Sequence, residues 1–118
     1  MAQLWSFAVL IVSAPLQLLS PWESIDPAKS TKFEDEYAVE IGKAHPLYGV
    51  PVKAIARRID RDDVLFRLLR HLCDYAVVHL TWSGREEVGP MWPALEIYAD
   101  DDDLMEKCIR PTHQEYET

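Results

Sequence analysis

The sequence predicts a single small α+β domain, in which an antiparallel sheet of three or four strands carries an N-terminal and a C-terminal helix packed on one face. Three observations support this fold class. The chain has 118 residues, which is the usual length of one domain. Residues 30–42 repeat apolar side chains at helical spacing. The β-branched and aromatic stretch Asp74–Trp82 alternates as a strand does.

The first 20 residues form an apolar segment that we set apart from a domain spanning residues 21–118. No charged residue precedes Glu23, and Leu4–Val12 is nearly all apolar. This run is shorter than a membrane-spanning helix, which needs about 20 apolar residues. It also lacks the basic start and the cleavage site of a secretory signal. We expect an appended or poorly ordered segment, with a signal, an anchor or docking onto the domain as the alternatives.

The first helix is predicted over residues 30–42. Its apolar stripe consists of Phe33, Tyr37 and Ile41. Acidic and basic side chains cover the other side of this helix, as is typical of a helix packed on a core. Thr31 and Glu34 match a capping box, in which the two side chains bind free backbone amides at the helix start.

Four stretches have the composition of strands. They are Val50–Ile59, Val64–Leu69, Asp74–Trp82 and Ala94–Tyr98. The charged turn at residues 60–63 would join the first two into a hairpin, although the second also has helical spacing and a helix remains the alternative there. In the third stretch, one face is purely apolar and is expected to point to the core. That face consists of Ala76, Val78, Leu80 and Trp82.

The last helix is expected to begin at Asp100–Asp103 and to end at Pro111. Carboxylates at a helix start accept hydrogen bonds from free amides and are favoured by the helix dipole, so we interpret the acidic run as a cap. The acidic turn at residues 60–63 lacks the glycine and the distal glutamate of a calcium loop. We therefore predict neither a metal site nor a cofactor.

The net charge of −8 argues against a nucleic acid or an anionic membrane as the partner and suits a basic protein. A membrane role would depend on residues 1–20. Cys73 and Cys108 have no metal-ligand spacing, and we interpret them as reduced thiols in a cytoplasmic protein. A single disulfide in an exported protein is the alternative.

The connection Ser83–Pro93 is the best candidate for a binding site, because connections this long are uncommon in small domains and are often functional. Trp92 would be an effective interface anchor if it is exposed. The partner-binding candidates are Tyr48, Arg85, Met91 and Trp92. The alternative for Trp92 is that it folds back over the core.

No motif assigns a catalytic residue. His45 and His79 could meet in space and then serve acid–base chemistry or hold a metal. Our leading expectation is instead a non-catalytic binding or interaction module, of the immunity or accessory type as a guess from class alone. A small enzyme or metal-dependent protein that uses His45 and His79 is the alternative.

Three blocks of sequence carry a resemblance. They read H-P-L-Y-G at residues 45–49, A-I-A-R-R-I-D-R-D-D-V-L-F at residues 54–66 and V-V-H-L-T-W at residues 77–82. Through them residues 22–99 resemble a group of small bacterial proteins of unassigned function. The resemblance implies a domain with a helix ahead of an antiparallel sheet, and it implies no activity.

Overall fold

The centre of the protein is a five-stranded antiparallel sheet whose strand order follows the order of the chain. The computed structural model describes residues 16–118. The strands are β1 (Trp22–Ser24), β2 (Val52–Arg58), β3 (Asp63–Leu68), β4 (Tyr75–His79) and β5 (Leu95–Tyr98). The α+β class and the antiparallel sheet are confirmed, but the expected strand number was too low. The strand that sequence analysis missed is β1, which pairs with the end of β2.

Two helical regions flank the sheet in sequence. Helix α1 (Ser30–Glu40) follows a short 3₁₀ turn, Pro27–Lys29. The C-terminal helix consists of three consecutive segments. These are α2 (Asp101–Leu104), a π-helical segment (Met105–Ile109) and α3 (Arg110–Glu117).

The two helical regions cover opposite faces of the sheet and not one shared face, so that part of the prediction was wrong. In the first core, α1 places Phe33 and Tyr37 against sheet residues such as Phe66. In the second core, the C-terminal helix packs against the other face. The principal members of this second core are Trp22, Ala56, Leu65, Tyr75, Tyr98, Leu104, Cys108 and Ile109. Because consecutive strand residues point to opposite faces, the run Val64-Leu65-Phe66 supplies both cores.

The same alternation explains which part of the face prediction for β4 was correct. Ala76, Val78 and Leu80 are fully buried as expected. Tyr75 on the opposite face is also fully buried, because the C-terminal helix covers it. Trp82 lies beyond the end of β4 and is partly exposed, so it does not continue the buried face.

A β-bulge in β2 changes which face its residues supply. The pairing with β3 shifts between Ala54 and Ala56, so Ile55 is the extra residue. Both alanines are buried, but Ala54 lies in the first core and Ala56 lies in the second. With a regular period of two, both residues would lie on one face of the sheet.

The stretch that was ambiguous between strand and helix is the strand β3. It lies at the centre of the sheet and pairs with β2 on one side and β4 on the other. Its hydrophobicity, which also suits a helix, reflects burial from two sides. The turn that follows places Arg70 at a φ of 57°, in the left-handed region.

The end of the apolar N-terminal segment contacts the domain. Leu16, Leu18 and Leu19 pack against the second core, and the His113 ring donates from Nδ1 to the Ser20 carbonyl at 2.7 Å. The apolar run Leu4–Val12 lies outside the described residues. A domain boundary at residue 20 stays a prediction.

The acidic run at the C-terminal helix caps it, as expected. The Asp100 carboxylate accepts a hydrogen bond from the Asp103 amide at 2.9 Å, and Asp103 accepts one from the Ala99 amide at 2.8 Å. Lys107 pairs with Asp103 one turn later at 2.8 Å. Both amides at the start of the helix are therefore satisfied by side chains.

Pro111 does not end this helix, which continues to Glu117. The residue before it, Arg110, donates its amide to the Met105 carbonyl, five residues back. This wider turn precedes the proline, which lacks an amide hydrogen and normally clashes with a regular helical turn. Pro111 then lies in the first turn of α3, where a missing donor costs little.

Adjacent residues on β3 test whether both cores carry stability. Phe66→Ala should lower the free energy of unfolding by about 3–5 kcal/mol and Leu65→Ala by about 2–5 kcal/mol. Each change leaves a cavity in a different core. Leu72→Ala is the control, because Leu72 is fully exposed in the turn after β3, and it should change stability by less than about 0.5 kcal/mol. Denaturant unfolding measures all three, and a neutral Leu65→Ala would argue against a second core.

The cap makes a separate prediction. Asp100→Ala should lower the free energy of unfolding by about 1 kcal/mol, because the Asp103 amide loses its acceptor. The neighbouring change Asp102→Ala should cost only about 0.3 kcal/mol, through the helix dipole alone. Thermal melts of the wild type should be the same with calcium and with a chelator. A calcium-dependent rise that Asp100→Ala abolishes would instead identify an ion site.

Candidate interaction surface

The connection between β4 and β5 is attached to α1 by a buried carboxylate. Glu40, at the end of α1, is fully buried. Its two oxygens accept hydrogen bonds from the backbone amides of Thr81 and Trp82, each at 2.8 Å. Trp82 has a φ of 56°, which is unusual for a bulky residue. The carboxylate of Glu40 thus holds the backbone where the connection leaves the sheet.

Further hydrogen bonds fix the first half of the connection. Glu36, one turn before Glu40, accepts from the Gly84 amide at 3.0 Å. The amide of Glu87 donates to the Glu40 carbonyl at 3.0 Å. The Glu87 carboxylate also accepts from the Thr81 hydroxyl at 2.6 Å and from the Ser83 hydroxyl at 3.0 Å. These two hydroxyls lower the pKa of Glu87, because they stabilise the charged form.

Gly42 allows the close approach of α1 to this connection. A Cβ atom at Gly42 would lie 2.7 Å from the Glu87 carbonyl oxygen. This distance is too short for a real contact, so the backbone of α1 or of the connection would have to shift. A glycine is therefore required here by contact with the connection, and not only as the residue that follows a helix.

Large apolar side chains project from the second half of the connection. Val88 is 93% exposed, Met91 76% and Trp92 50%. Tyr48, from the loop after α1, is 54% exposed. His45 joins that loop to the connection, because its Nε2 atom and the Pro93 carbonyl oxygen are 2.9 Å apart.

We call the residues Tyr48, Arg85, Val88, Met91 and Trp92 the interaction surface. The structure leaves all four sequence-derived candidates exposed and brings their two loops together at the contact between His45 and Pro93. Trp92 does not fold back over the core. Val88 was missed, although an apolar residue between Glu87 and Gly89 could have indicated it.

Sequence reasoning also missed Glu40. Its position extends the apolar stripe of α1, seven residues after Phe33 and three after Tyr37, so its side chain faces the core. An acidic residue at the last turn of a helix opposes the helix dipole. A core-facing position and an unfavourable place in the helix dipole could together have indicated that Glu40 is retained for a specific contact.

The two candidate histidines have different partners. His45 is buried; its Nδ1 atom accepts from the Leu47 amide at 3.1 Å, so Nε2 donates to the Pro93 carbonyl. Both ring nitrogens of His45 are therefore used to brace backbone. The Nδ1 atom of His79 instead lies 2.9 Å from one carboxylate oxygen of Asp63. The other oxygen of Asp63 pairs with Arg61 at 3.2 Å. Within residues 16–118, no group of three or more acidic, histidine or cysteine side chains could hold a metal ion.

The environment of Glu40 raises its pKa to about 7 from an ordinary 4.5. Burial is the largest cause, because it disfavours the charged carboxylate, and the nearby carboxyl group of Glu36 raises the pKa further. The amides of Thr81 and Trp82 act in the opposite direction, since they donate to the charged form.

Comparisons with protein-family models, with curated proteins and with solved structures find no match for the chain. No helix in the described part of the chain combines the length and the apolar character needed to cross a membrane.

The raised pKa of Glu40 predicts how stability changes with pH. Between about pH 4.5 and 7, the folded protein retains a proton that the unfolded chain has released. The contribution of Glu40 to the free energy of unfolding therefore falls as the pH rises through this window. Thermal melts across it should show the wild type losing stability more steeply than Glu40→Gln, which cannot titrate.

Glu34→Gln is the matched control, because Glu34 is also on α1 and accepts from a backbone amide, that of Ala54 at 2.9 Å. It should keep the slope of the wild type. Glu40→Gln should be less stable overall, since its amide nitrogen would face a backbone donor. A Glu40→Gln protein with the wild-type slope would contradict the assignment.

Proposed function

We propose that this protein is a non-catalytic interaction module that binds a basic protein partner through the interaction surface. The observation that carries the proposal is the exposure of Met91 and Trp92 on a connection whose base is held by hydrogen bonds. Tryptophan and other large side chains that insert into a partner supply much of the affinity of protein interfaces.

The anchoring of the connection supports this role. Glu40 and Glu36 bind three of its backbone amides, and His45 binds the Pro93 carbonyl near its other end. A loop that is held in place before binding loses less conformational entropy when it binds. Met91 and Trp92 therefore project from a segment fixed on both sides.

The charge of the protein supports the choice of partner. The chain carries a net charge of −8, and Glu86 and Glu87 lie between the candidate residues Arg85 and Val88. Such a potential accelerates association with a basic protein and opposes association with an acidic one. The immunity or accessory type of module, which acts by covering a surface of another protein, fits this description.

The cytoplasm is the proposed compartment. Cys73 and Cys108 are both free, and Cys108 is buried in the second core. Burial raises the pKa of the Cys108 thiol to about 11, so it stays protonated and unreactive at neutral pH. Unpaired structural cysteines are typical of proteins in reducing compartments.

The experiment compares proteins captured from native lysate by the wild type, by Met91→Ala/Trp92→Ala and by Leu72→Ala. Leu72 is the control, because it is an apolar residue on the turn after β3 that is more exposed than either Met91 or Trp92. We expect a basic protein that is retained in stoichiometric amount by the wild type and by Leu72→Ala. The double variant should bind the purified partner at least about 30-fold more weakly, which corresponds to the loss of about 2 kcal/mol at a hot spot.

Two results would contradict the proposal. One is equal binding of the partner by the double variant and the wild type. The other is a partner that Leu72→Ala loses to the same extent, because that would indicate non-specific apolar adsorption.

A further inference from the structure

A cleft lies between the start of α1 and the turn that joins β2 to β3. It has a volume of about 250 Å³. The cleft is lined by Lys32, Phe33, Arg57, Arg61, Asp62, Asp63, Val64 and Trp82. None of these residues belongs to the interaction surface, so a ligand here would be a second, separate function.

One wall of the cleft is aromatic. The rings of Phe33 and Trp82 meet edge to face, with centroids 5.8 Å apart and an angle of 71° between the planes. Phe33 is buried, whereas Trp82 is partly exposed. The indole of Trp82 is therefore held by contact with Phe33 and remains partly accessible, so a planar ligand can pack against it.

The backbone of Trp82 shows that its position is enforced. A left-handed conformation of a non-glycine residue is strained and persists only where surrounding contacts determine it. At Trp82 these contacts include the Glu40 carboxylate, which binds its amide, and the Phe33 ring. Conformations of this kind cluster at ligand-binding sites.

The charges of the cleft favour an anion. Among the residues that line the cleft, the three cations Lys32, Arg57 and Arg61 outnumber the two acids Asp62 and Asp63. Arg61 pairs with Asp63 at 3.2 Å. Within residues 16–118, Lys32 and Arg57 form no ion pair. The Lys32 amine lies 5.3 Å from the centre of the Phe33 ring, so it is placed beside the aromatic wall.

From this arrangement we propose that the cleft binds a small aromatic carboxylate. The ring of the ligand packs against the indole of Trp82, and its carboxylate is bound by Lys32 and Arg57. An aromatic monoacid fits the volume of the cleft, whereas a nucleic acid or a protein segment does not. Asp62 has the opposite effect and weakens binding by repelling the carboxylate.

The test titrates full-length protein labelled with ¹⁵N and follows the indole N–H signal of Trp82, identified by its loss in Trp82→Phe. Benzoate is the probe. It should shift this signal saturably, with a dissociation constant on the order of 1 mM for so small a ligand. Benzylamine, which has the ring but the opposite charge, should bind at least about tenfold more weakly, as should cyclohexanecarboxylate, which has the charge but no aromatic ring.

Variants of the exposed cations assign the contacts without disturbing the fold. Lys32→Gln and Arg57→Gln should each weaken benzoate binding about fivefold, the loss expected for one exposed ion pair. Asp62→Asn should strengthen binding. Lys43→Gln, which removes an exposed cation just beyond α1, should leave binding unchanged.

Three outcomes would overturn the proposal. They are a linear shift without saturation, equal binding of benzoate and benzylamine, and wild-type affinity in Lys32→Gln/Arg57→Gln. Equal binding of cyclohexanecarboxylate would overturn the aromatic class of ligand. None of these measurements depends on a protein partner, so the result is independent of the proposed interaction function.

Discussion

The buried carboxylate of Glu40 makes the hydrogen bonds on which the two proposed binding sites depend. An isolated carboxylate is expensive to bury, and here two backbone amides that have no other partner offset part of that cost. These amides belong to the residues at which the chain leaves β4. One side chain thereby sets the path of the connection that carries Trp92 and, through Trp82, the aromatic wall of the cleft.

Helical regions cover both faces of the sheet, so the two cores are complete without the exposed apolar residues of the connection. Because α1 and the C-terminal helix each cover one face, β3 is buried on both sides. Residues 16–118 thus form two apolar layers. The apolar residues of the connection lie outside both layers and are not needed to complete either core.

Local patterns predicted the elements but not how they assemble. The period of Phe33 and Tyr37 predicts α1, and the acidic run predicts the cap of the C-terminal helix. The three-residue strand β1 was missed because its pairing with β2 is a tertiary contact that leaves no periodic signal. The bulge at Ile55 inverted the face of Ala56. The anchoring of the connection by Glu40 is a tertiary contact, which no spacing within the connection reveals.

The order of the strands has a consequence for how the chain finds its structure. Each strand pairs with the strand before it in sequence, so β2 to β5 can assemble by extending one pairing at a time. Such local topologies fold quickly, because little loop entropy is lost before contacts form. The contact of longest range is the hydrogen bond from the Trp22 indole to the Thr112 hydroxyl, which spans 90 residues of sequence, and we expect it to form more slowly. We therefore expect the docking of Trp22 onto the C-terminal helix to be a late step of folding.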